Sequence, residues 1–354
     1  ALTNLNFLRD IHATNPAYRN VSNIVVNGLP IESGQVNIGR RTPSTTHHAT
    51  LRIDHQLGAK DSVTVRWTGN FLETLNNGGN NALGAIFASS TDTKDHNTAI
   101  SHTHIFGATT VNEFRASLVR RDLRFPENDP ASPTATIAGL FTVGGPANFP
   151  QGRLQNSLQF VNVTSLQRGR HSIKFGADVR YGQLDNEAAF DSKGTFAFAS
   201  LQNFVNNLAT TYTVALQTSS YDARQWQIYP FVQDDFRVTP DLTLNLGLRY
   251  EISTIPFGYF GATDEQSLAA MVPGPVKMDR NNISPRVGFA WAPGRGSGWL
   301  GDGKSVLRGG YGTSYDVLFF NLLTVNASNF PRVVTPIENN VLDRYPTVTR
   351  GTGA

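Results

Sequence analysis

Between Leu242 and Ile252 every even position is apolar or aromatic: Leu242, Leu244, Leu246, Leu248, Tyr250 and Ile252. The odd positions are Thr243, Asn245, Gly247, Arg249 and Glu251. Successive side chains of a strand point to opposite faces, so the pattern predicts a strand with one hydrocarbon face and one polar, charged face. Residues 226–238 alternate in the same way, and Thr239-Pro-Asp241 supplies a tight turn between the two segments. Soluble sandwiches show such alternation over shorter strands. Ten or more residues with charge on one side and Leu and Tyr on the other suit a strand that crosses a membrane within a barrel.

The same unit recurs along the chain. Leu51, Ile53, His55 and Leu57 alternate with Arg52, Asp54 and Gln56. Beyond a turn at 58–61, Val63, Val65, Trp67 and Phe71 alternate with Thr64, Arg66, Thr68 and Asn70. Residues 98–106 and 111–121 form a weaker pair, with Phe114, Ala116 and Leu118 on one face. Around the turn Arg168-Gly-Arg170, residues 157–167 precede a strand in which Ile173, Phe175, Ala177, Val179 and Tyr181 oppose Lys174, Asp178 and Arg180. In the last pair Val287, Phe289, Trp291, Leu307, Tyr311 and Tyr315 share the apolar side, opposite Arg286 and Arg308. Hairpins near 49–71, 98–121, 157–183, 224–252 and 283–315 predict about ten strands. They form an antiparallel up-and-down β-barrel wall over 45–315. A loop or irregular segment at 1–44 precedes it, and a loop or truncated C-terminal segment follows at 316–354.

The connections support this reading. Within hairpins they are short; between hairpins they are long, at 72–97, 123–156, 184–223 and 253–282. Short turns at one end and long loops at the other mark outer-membrane barrels, whereas long structureless loops count against a compact soluble domain. One long loop carries a local signal: Ser200 is placed to cap a short helix with Leu201, Phe204, Val205 and Leu208 on one face.

Composition narrows the alternatives. The 354 residues contain no Cys, which excludes a disulfide framework and thiolate metal sites. No apolar run reaches the ~18 residues of a membrane helix, so any crossing must use strands. A net charge of +3 without a block of Lys and Arg gives no sign of a nucleic-acid partner. The chain opens Ala-Leu-Thr-Asn without a charged-then-apolar leader and reads as a mature segment or a fragment. Trp67, Phe71, Trp226, Phe236, Tyr250, Trp291, Tyr311 and Tyr315 lie near strand ends or in the apolar set, as in the aromatic girdles of a barrel. Together with Leu244, Leu246 and Leu248 they form the expected lipid-facing surface.

The segment Tyr229-Pro-Phe-Val-Gln-Asp-Asp-Phe-Arg-Val-Thr-Pro-Asp-Leu-Thr-Leu-Asn-Leu-Gly-Leu-Arg-Tyr-Glu251 resembles a signature hairpin of TonB-dependent outer-membrane receptors. Gly169-Arg-His-Ser-Ile-Lys-Phe-Gly-Ala-Asp-Val-Arg180 resembles the hairpin before it in that family. Asn282-Ile-Ser-Pro-Arg-Val-Gly-Phe-Ala-Trp291 and Lys304-Ser-Val-Leu-Arg-Gly-Gly-Tyr-Gly-Thr-Ser-Tyr315 resemble the one after. Arg52-Ile-Asp-His-Gln-Leu and Val111-Asn-Glu-Phe-Arg resemble the Oar-like branch of the family. The resemblance spans about residues 45 to 330. It implies a Gram-negative outer-membrane location and energised passage of a solute or larger cargo driven by TonB–ExbB–ExbD. It also implies a barrel of 22 strands, of which this chain would supply fewer than half. No plug domain, TonB box or terminal aromatic strand is recognisable, so the chain is expected to be part of a larger barrel.

Candidate chemistry is sparse. His102 and His104 share a strand face, with His96 on the same parity, and imidazoles at i and i+2 can share a metal. No acidic residue stands beside them at a fixed spacing, which leaves them weak metal candidates. Asp234 and Asp235 have opposite parity, which separates them and argues against a shared-proton catalytic pair. The Gly-rich stretches at 144–146 and 294–298 join no strand to a helix as a phosphate loop does. No residue supports an enzymatic reading, and no cofactor is expected. The polar candidates are Asp54, Arg66, Lys174, Asp178, Arg180, Asp235, Arg249, Glu251, Arg286 and Arg308. They serve either as cross-strand pairs that stiffen a wall or as the lining of a solute path.

Two alternatives remain at this stage. One is a soluble or surface β-protein that binds glycan or protein through its loops. The other is a small self-contained barrel acting as a pore or adhesin. Burial of the apolar set against a second sheet would favour the first; a closed ring with paired first and last strands would favour the second.

Overall fold

An Asn-Gly pair between two apolar stretches favours a two-residue turn, because both residues tolerate positive φ. Asn27 and Gly28 adopt φ of 49° and 77° and join β1 (Arg19–Val26) to β2 (Leu29–Gln35). This hairpin lies within the segment expected to be irregular. The computed structural model describes residues 19–35, 39–79, 85–216, 219–256, 277–294, 298–301, 304–317, 320–323 and 337–342. Much of the expected 253–282 loop and of the 316–354 segment lies outside them.

The recurrent hairpins follow as β3 (Ser44–Gln56) with β4 (Asp61–Gly79), and β5 (Ala88–Gly107) with β6 (Thr110–Arg124). Two short strands, β7 (Thr134–Ile137) and β8 (Phe141–Val143), precede the hairpin of β9 (Gln151–Arg168) and β10 (His171–Ala188). Next come β11 (Thr195–Phe198), helix α1 (Leu201–Val205) and β12 (Leu208–Thr213). The chain then forms β13 (Tyr221–Thr239), β14 (Leu242–Tyr250), β15 (Ile252–Ser253), β16 (Ile283–Trp291), β17 (Leu307–Gly312) and β18 (Ile337–Leu342).

The main sheet has 11 strands in the order β17-β16-β14-β13-β10-β9-β6-β5-β4-β3, with β15 on β13. Every pairing is antiparallel between neighbours, which is up-and-down topology. Among the described residues β3 pairs only with β4, and β17 only with β16, so the two ends do not close on each other.

The strands run further from the short turns than alternation alone predicts: β4 has 19 residues and β5 has 20. At a rise of about 3.3 Å per residue these exceed an apolar band of about 25 Å even when tilted. Beyond that band nothing enforces hydrophobic alternation. Leu72, Glu73 and Thr74 show no apolar alternation with their β5 neighbours Thr93, Asp92 and Thr91, yet they still pair, and pairing resumes at Gly78 and Gly79 after an irregularity. The connection expected at 72–97 therefore shrinks to residues 80–87.

Register places the alternating residues consistently from strand to strand. Tyr181, Val179 and Phe175 stand opposite Trp226, Ile228 and Val232. Val232 faces Leu248, Leu246 faces Val287, and Val287 faces Tyr311. The other half of the sheet continues the same side through Leu118, Ile100, Val65 and Ile53. Among the described residues this apolar face is not packed against a second sheet. Ile53, Val232, Leu248, Val287 and Tyr311 retain 56%, 46%, 49%, 55% and 73% of their accessible surface.

Among the described residues the largest buried core lies outside the main sheet. The connections 125–150 and 189–220 supply β7, β8, β11, α1 and β12, and with β18 they build a five-stranded sheet in the order β18-β12-β11-β7-β8. β7 and β11 pair in parallel, Phe196 opposite Ala135 and Phe198 opposite Ile137. Phe196, Phe198, Ile137, Phe204 and Tyr212 are buried together, and Val26 of the β1–β2 hairpin joins them. α1 is one turn long; its Ser200 hydroxyl accepts from Asn203 N at 3.2 Å and its buried residues are Leu201 and Phe204. Leu208, expected on the helix, begins β12 instead.

Candidate functional site

Opposite the apolar side, register assembles a polar face. Asp178 stands across from Tyr229 on β13 and Val161 on β9. Arg180 donates to Asp178 Oδ2 at 2.7 Å, and Gln159 Nε2 donates to Asp178 Oδ1 at 3.0 Å. Arg249 lies 3.4 Å from Glu251, whose Oε1 also accepts from the buried Ser284 hydroxyl at 3.2 Å. Between these pairs sits Tyr229, 3% exposed. The guanidinium carbons of Arg249 and Arg180 lie 4.5 Å and 5.8 Å from its ring centre, within the range of cation–π attraction. Tyr229 escapes the sequence reading because an inward aromatic looks like any other strand aromatic until its neighbours are known.

The other polar candidates distribute along this face. Asp54 accepts from Arg52 at 2.7 Å and from the Thr64 hydroxyl at 2.7 Å. Asp235 accepts from Asn245 at 2.7 Å and from Gln233 at 3.3 Å. Arg66 stands opposite Arg52, Lys174 between Ser165 and Gln233, Arg286 between Gly247 and Gly312, and Arg308 opposite Ala290. Among the described residues no carboxylate pairs with Arg66, Lys174, Arg286 or Arg308. Pairs not anticipated include Arg121–Asp95 at 2.8 Å and Arg115–Glu113 on this face, and Arg124–Asp122 at 2.8 Å on the opposite one.

On the apolar side Trp67, Trp226, Leu244, Leu246, Leu248, Tyr250, Trp291 and Tyr311 share one face by register. Asp234 stands opposite Leu246 on this side and Asp235 opposite Asn245 on the other, so the two carboxylates are divided by the sheet. His102 and His104 do have an acidic partner. Asp61 Oδ1 meets His102 Nε2 at 3.0 Å and His104 Nδ1 at 2.6 Å. Asp61 lies on the adjacent strand, 41 and 43 residues away, a spacing that only the β4–β5 register defines. Among the described residues no group of three or more His, Asp or Glu is arranged to hold a metal.

In the folded connections Lys193 and Glu127 form an ion pair that is 10% and 3% exposed. It ties the connection after β6 to the one before β11. Burial pushes the Glu127 carboxyl above the ordinary carboxylate range, although Lys193 acts in the other direction.

The family model of the outer membrane beta barrel domain matches residues 7–352. The chain belongs to this family. Its place is accordingly the outer membrane, and its antiparallel sheet is barrel wall. No curated protein matches the chain. Among solved structures it is similar to the ferripyoverdine receptor of the outer membrane of Pseudomonas aeruginosa bound to ferripyoverdine, at 14% identity and TM-score 0.42, covering 70% of this chain and 33% of that one. P. aeruginosa FpvA bound to a heterologous pyoverdine gives 14% identity, TM-score 0.44, and 71% and 34% coverage. The siderophore receptor PiuA from Acinetobacter baumannii gives 14% identity, TM-score 0.42, and 71% and 40% coverage. The chain thus spans 33% to 40% of the length of these receptors.

Proposed function

We propose that this chain forms part of the barrel wall and outer loops of a TonB-dependent receptor of the Oar-like branch, serving energised passage of a solute or larger cargo. The apolar face meets lipid, with Trp67, Trp226, Tyr250, Trp291 and Tyr311 in its girdles. The polar face lines the lumen. The cation–π and ion-pair cluster at Tyr229 stiffens the wall, while Arg66, Lys174, Arg286 and Arg308 give the lumen a positive bias. The folded connections form a cap at the end of the barrel where long loops capture cargo. The wall carries out no covalent chemistry, and energy comes from TonB–ExbB–ExbD.

The observation that carries the membrane part is the exposed apolar face. Soluble proteins rarely leave apolar patches beyond a few hundred Å² open to water, whereas here, among the described residues, Ile53, Ile100, Val232, Leu246, Leu248, Val287 and Tyr311 stay exposed along one sheet face. The TonB part rests on the resemblance of the Gln-Asp-Asp hairpin and its neighbours. To test it, cells that express the full-length gene product, with TonB intact or disrupted, are compared by mass spectrometry for solutes taken up from the medium. Accumulation that needs both the receptor and TonB is expected; uptake unchanged by loss of TonB would overturn the reading.

A further inference from the structure

Close to the short turns the apolar face carries a contiguous polar notch, separate from the His171–Asp234 pair (Nδ1 to Oδ2, 2.6 Å) that stands on the same face at the β9–β10 turn. Asp61, His104, Asn112 and Thr164 stand opposite one another in succession across β4, β5, β6 and β9, and the same row then continues as Phe175 and Val232. His102 and Asn162, one pleat further along on the same face, complete the patch. His102 and His104 share Asp61 Oδ1. Asn112 Nδ2 donates to Asn162 Oδ1 at 3.1 Å and to Thr164 Oγ1 at 2.9 Å, and Asn162 Nδ2 donates back to Asn112 Oδ1 at 3.2 Å.

These bonds leave capacity unused. The second nitrogen of each imidazole and Asp61 Oδ2 have no bond among the described residues. Asn162 is exposed, and the side chains of His102 and Asp61 keep 37% and 33% of their surface. Hydrocarbon cannot satisfy such groups, and each one left unpaired there costs about 2–7 kcal/mol. Asp61 is the first residue after the turn from β3, and His104 precedes the β5–β6 turn by a few residues. The notch therefore sits at the rim of the apolar band, continuous with the lipid-facing surface.

We infer that this notch is a binding site for the zwitterionic headgroup of a glycerophospholipid, a phosphate linked to a primary amine. Imidazole and amide N–H groups donate to the phosphate oxygens, and Asp61 takes the ammonium. The mixture of donors and one carboxylate selects this headgroup over a purely anionic one, which Asp61 repels. The inference rests on the proposal that the apolar face meets lipid.

The test separates the two ideas. The chain contains no Cys, so N162C and I100C each introduce a unique labelling site; Ile100 lies on the same face, further from the turn. Each fluorophore-labelled variant, made in the full-length gene product otherwise free of Cys, is folded into vesicles of phosphatidylethanolamine and phosphatidylglycerol, doped with lipid spin-labelled either at the headgroup or at mid-chain. Position 100 should be quenched several-fold more by the mid-chain label, and position 162 by the headgroup label. If position 100 is quenched by neither, the membrane proposal fails. If position 100 behaves as expected but 162 responds to the mid-chain label or to neither, the headgroup site fails alone. Native mass spectrometry with lipids of identical acyl chains then reads selectivity. The unaltered chain should retain phosphatidylethanolamine over phosphatidylglycerol and over diacylglycerol, and D61N should abolish the first preference. Equal retention of the two phospholipids by the unaltered chain would overturn the assignment even if D61N does not fold.

Discussion

The guanidinium carbon of Arg249 lies 4.5 Å from the centre of the Tyr229 ring, with Arg180 at 5.8 Å from the same ring. Each cation is also held by a carboxylate, Glu251 and Asp178 respectively. Three adjacent strands are thereby joined through one aromatic side chain on the polar face. Cation–π attraction contributes about 0.5–2 kcal/mol per contact depending on desolvation. Y229L, which keeps an apolar body but loses the ring face, is expected to destabilise the folded chain by about 1–3 kcal/mol. Y229F keeps the ring and loses only a marginal 3.4 Å contact with Ser253, so it should stay within about 0.5 kcal/mol of the parent. Denaturant unfolding in detergent micelles checks the order; equal losses in the two variants would remove the ring from the account.

Glu127 sets a pH dependence in the cap. Its folded pKa is raised by burial. A carboxyl of this kind contributes stability that is fully present below its unfolded pKa of about 4.3 and is lost as pH rises through the higher folded value. The contribution from this group is therefore larger at pH 4 than at pH 7. Hydrogen-exchange protection factors across β7 and β11 should fall over that interval, and E127Q should flatten the fall. Protection that rises with pH in the parent, or an unchanged slope in E127Q, would contradict this cause.

Phe198 tests whether the cap is a unit separate from the wall. It is 1% exposed, and its ring meets Phe204 edge-on at 5.2 Å between centroids. F198A removes a large buried side chain at a cost of about 3–5 kcal/mol. Exchange protection should disappear in β7, β11 and β12 while β9, β10 and β13 remain protected, because the wall draws its order from its own hydrogen-bonded ladder. Simultaneous loss in both regions would show one cooperative structure instead.

How much of this was readable from the chain depends on what enforces each feature. The two faces were legible residue by residue. Leu246 and Arg249 declare their sides because an apolar and a polar environment press on alternate positions, and a slip of one residue would invert every side chain. Strand length was not legible, since Leu72–Thr74 and Gly78–Gly79 pair beyond any apolar band and carry no alternation. The Asn27-Gly28 turn was a local signal that went unused. The cap was hidden for a different reason. β7 and β11 have 4 residues each and pair in parallel across a long sequence separation, so only their shared core defines them. Ser200 was the one local mark of that region. The partner of His102 and His104 lay hidden in register, and so did the role of Tyr229.

The central claim is that even-numbered residues of β14 face lipid and odd-numbered residues face a water-filled lumen. Single cysteines placed from Leu244 to Arg249 in the full-length gene product, otherwise free of Cys and folded into vesicles, report this directly through their reaction with a charged, membrane-impermeant thiol reagent. The account predicts a period of two: rapid labelling at 245, 247 and 249, and protection at 244, 246 and 248. Labelling of all six positions at similar rates, or protection of the odd positions, would contradict it.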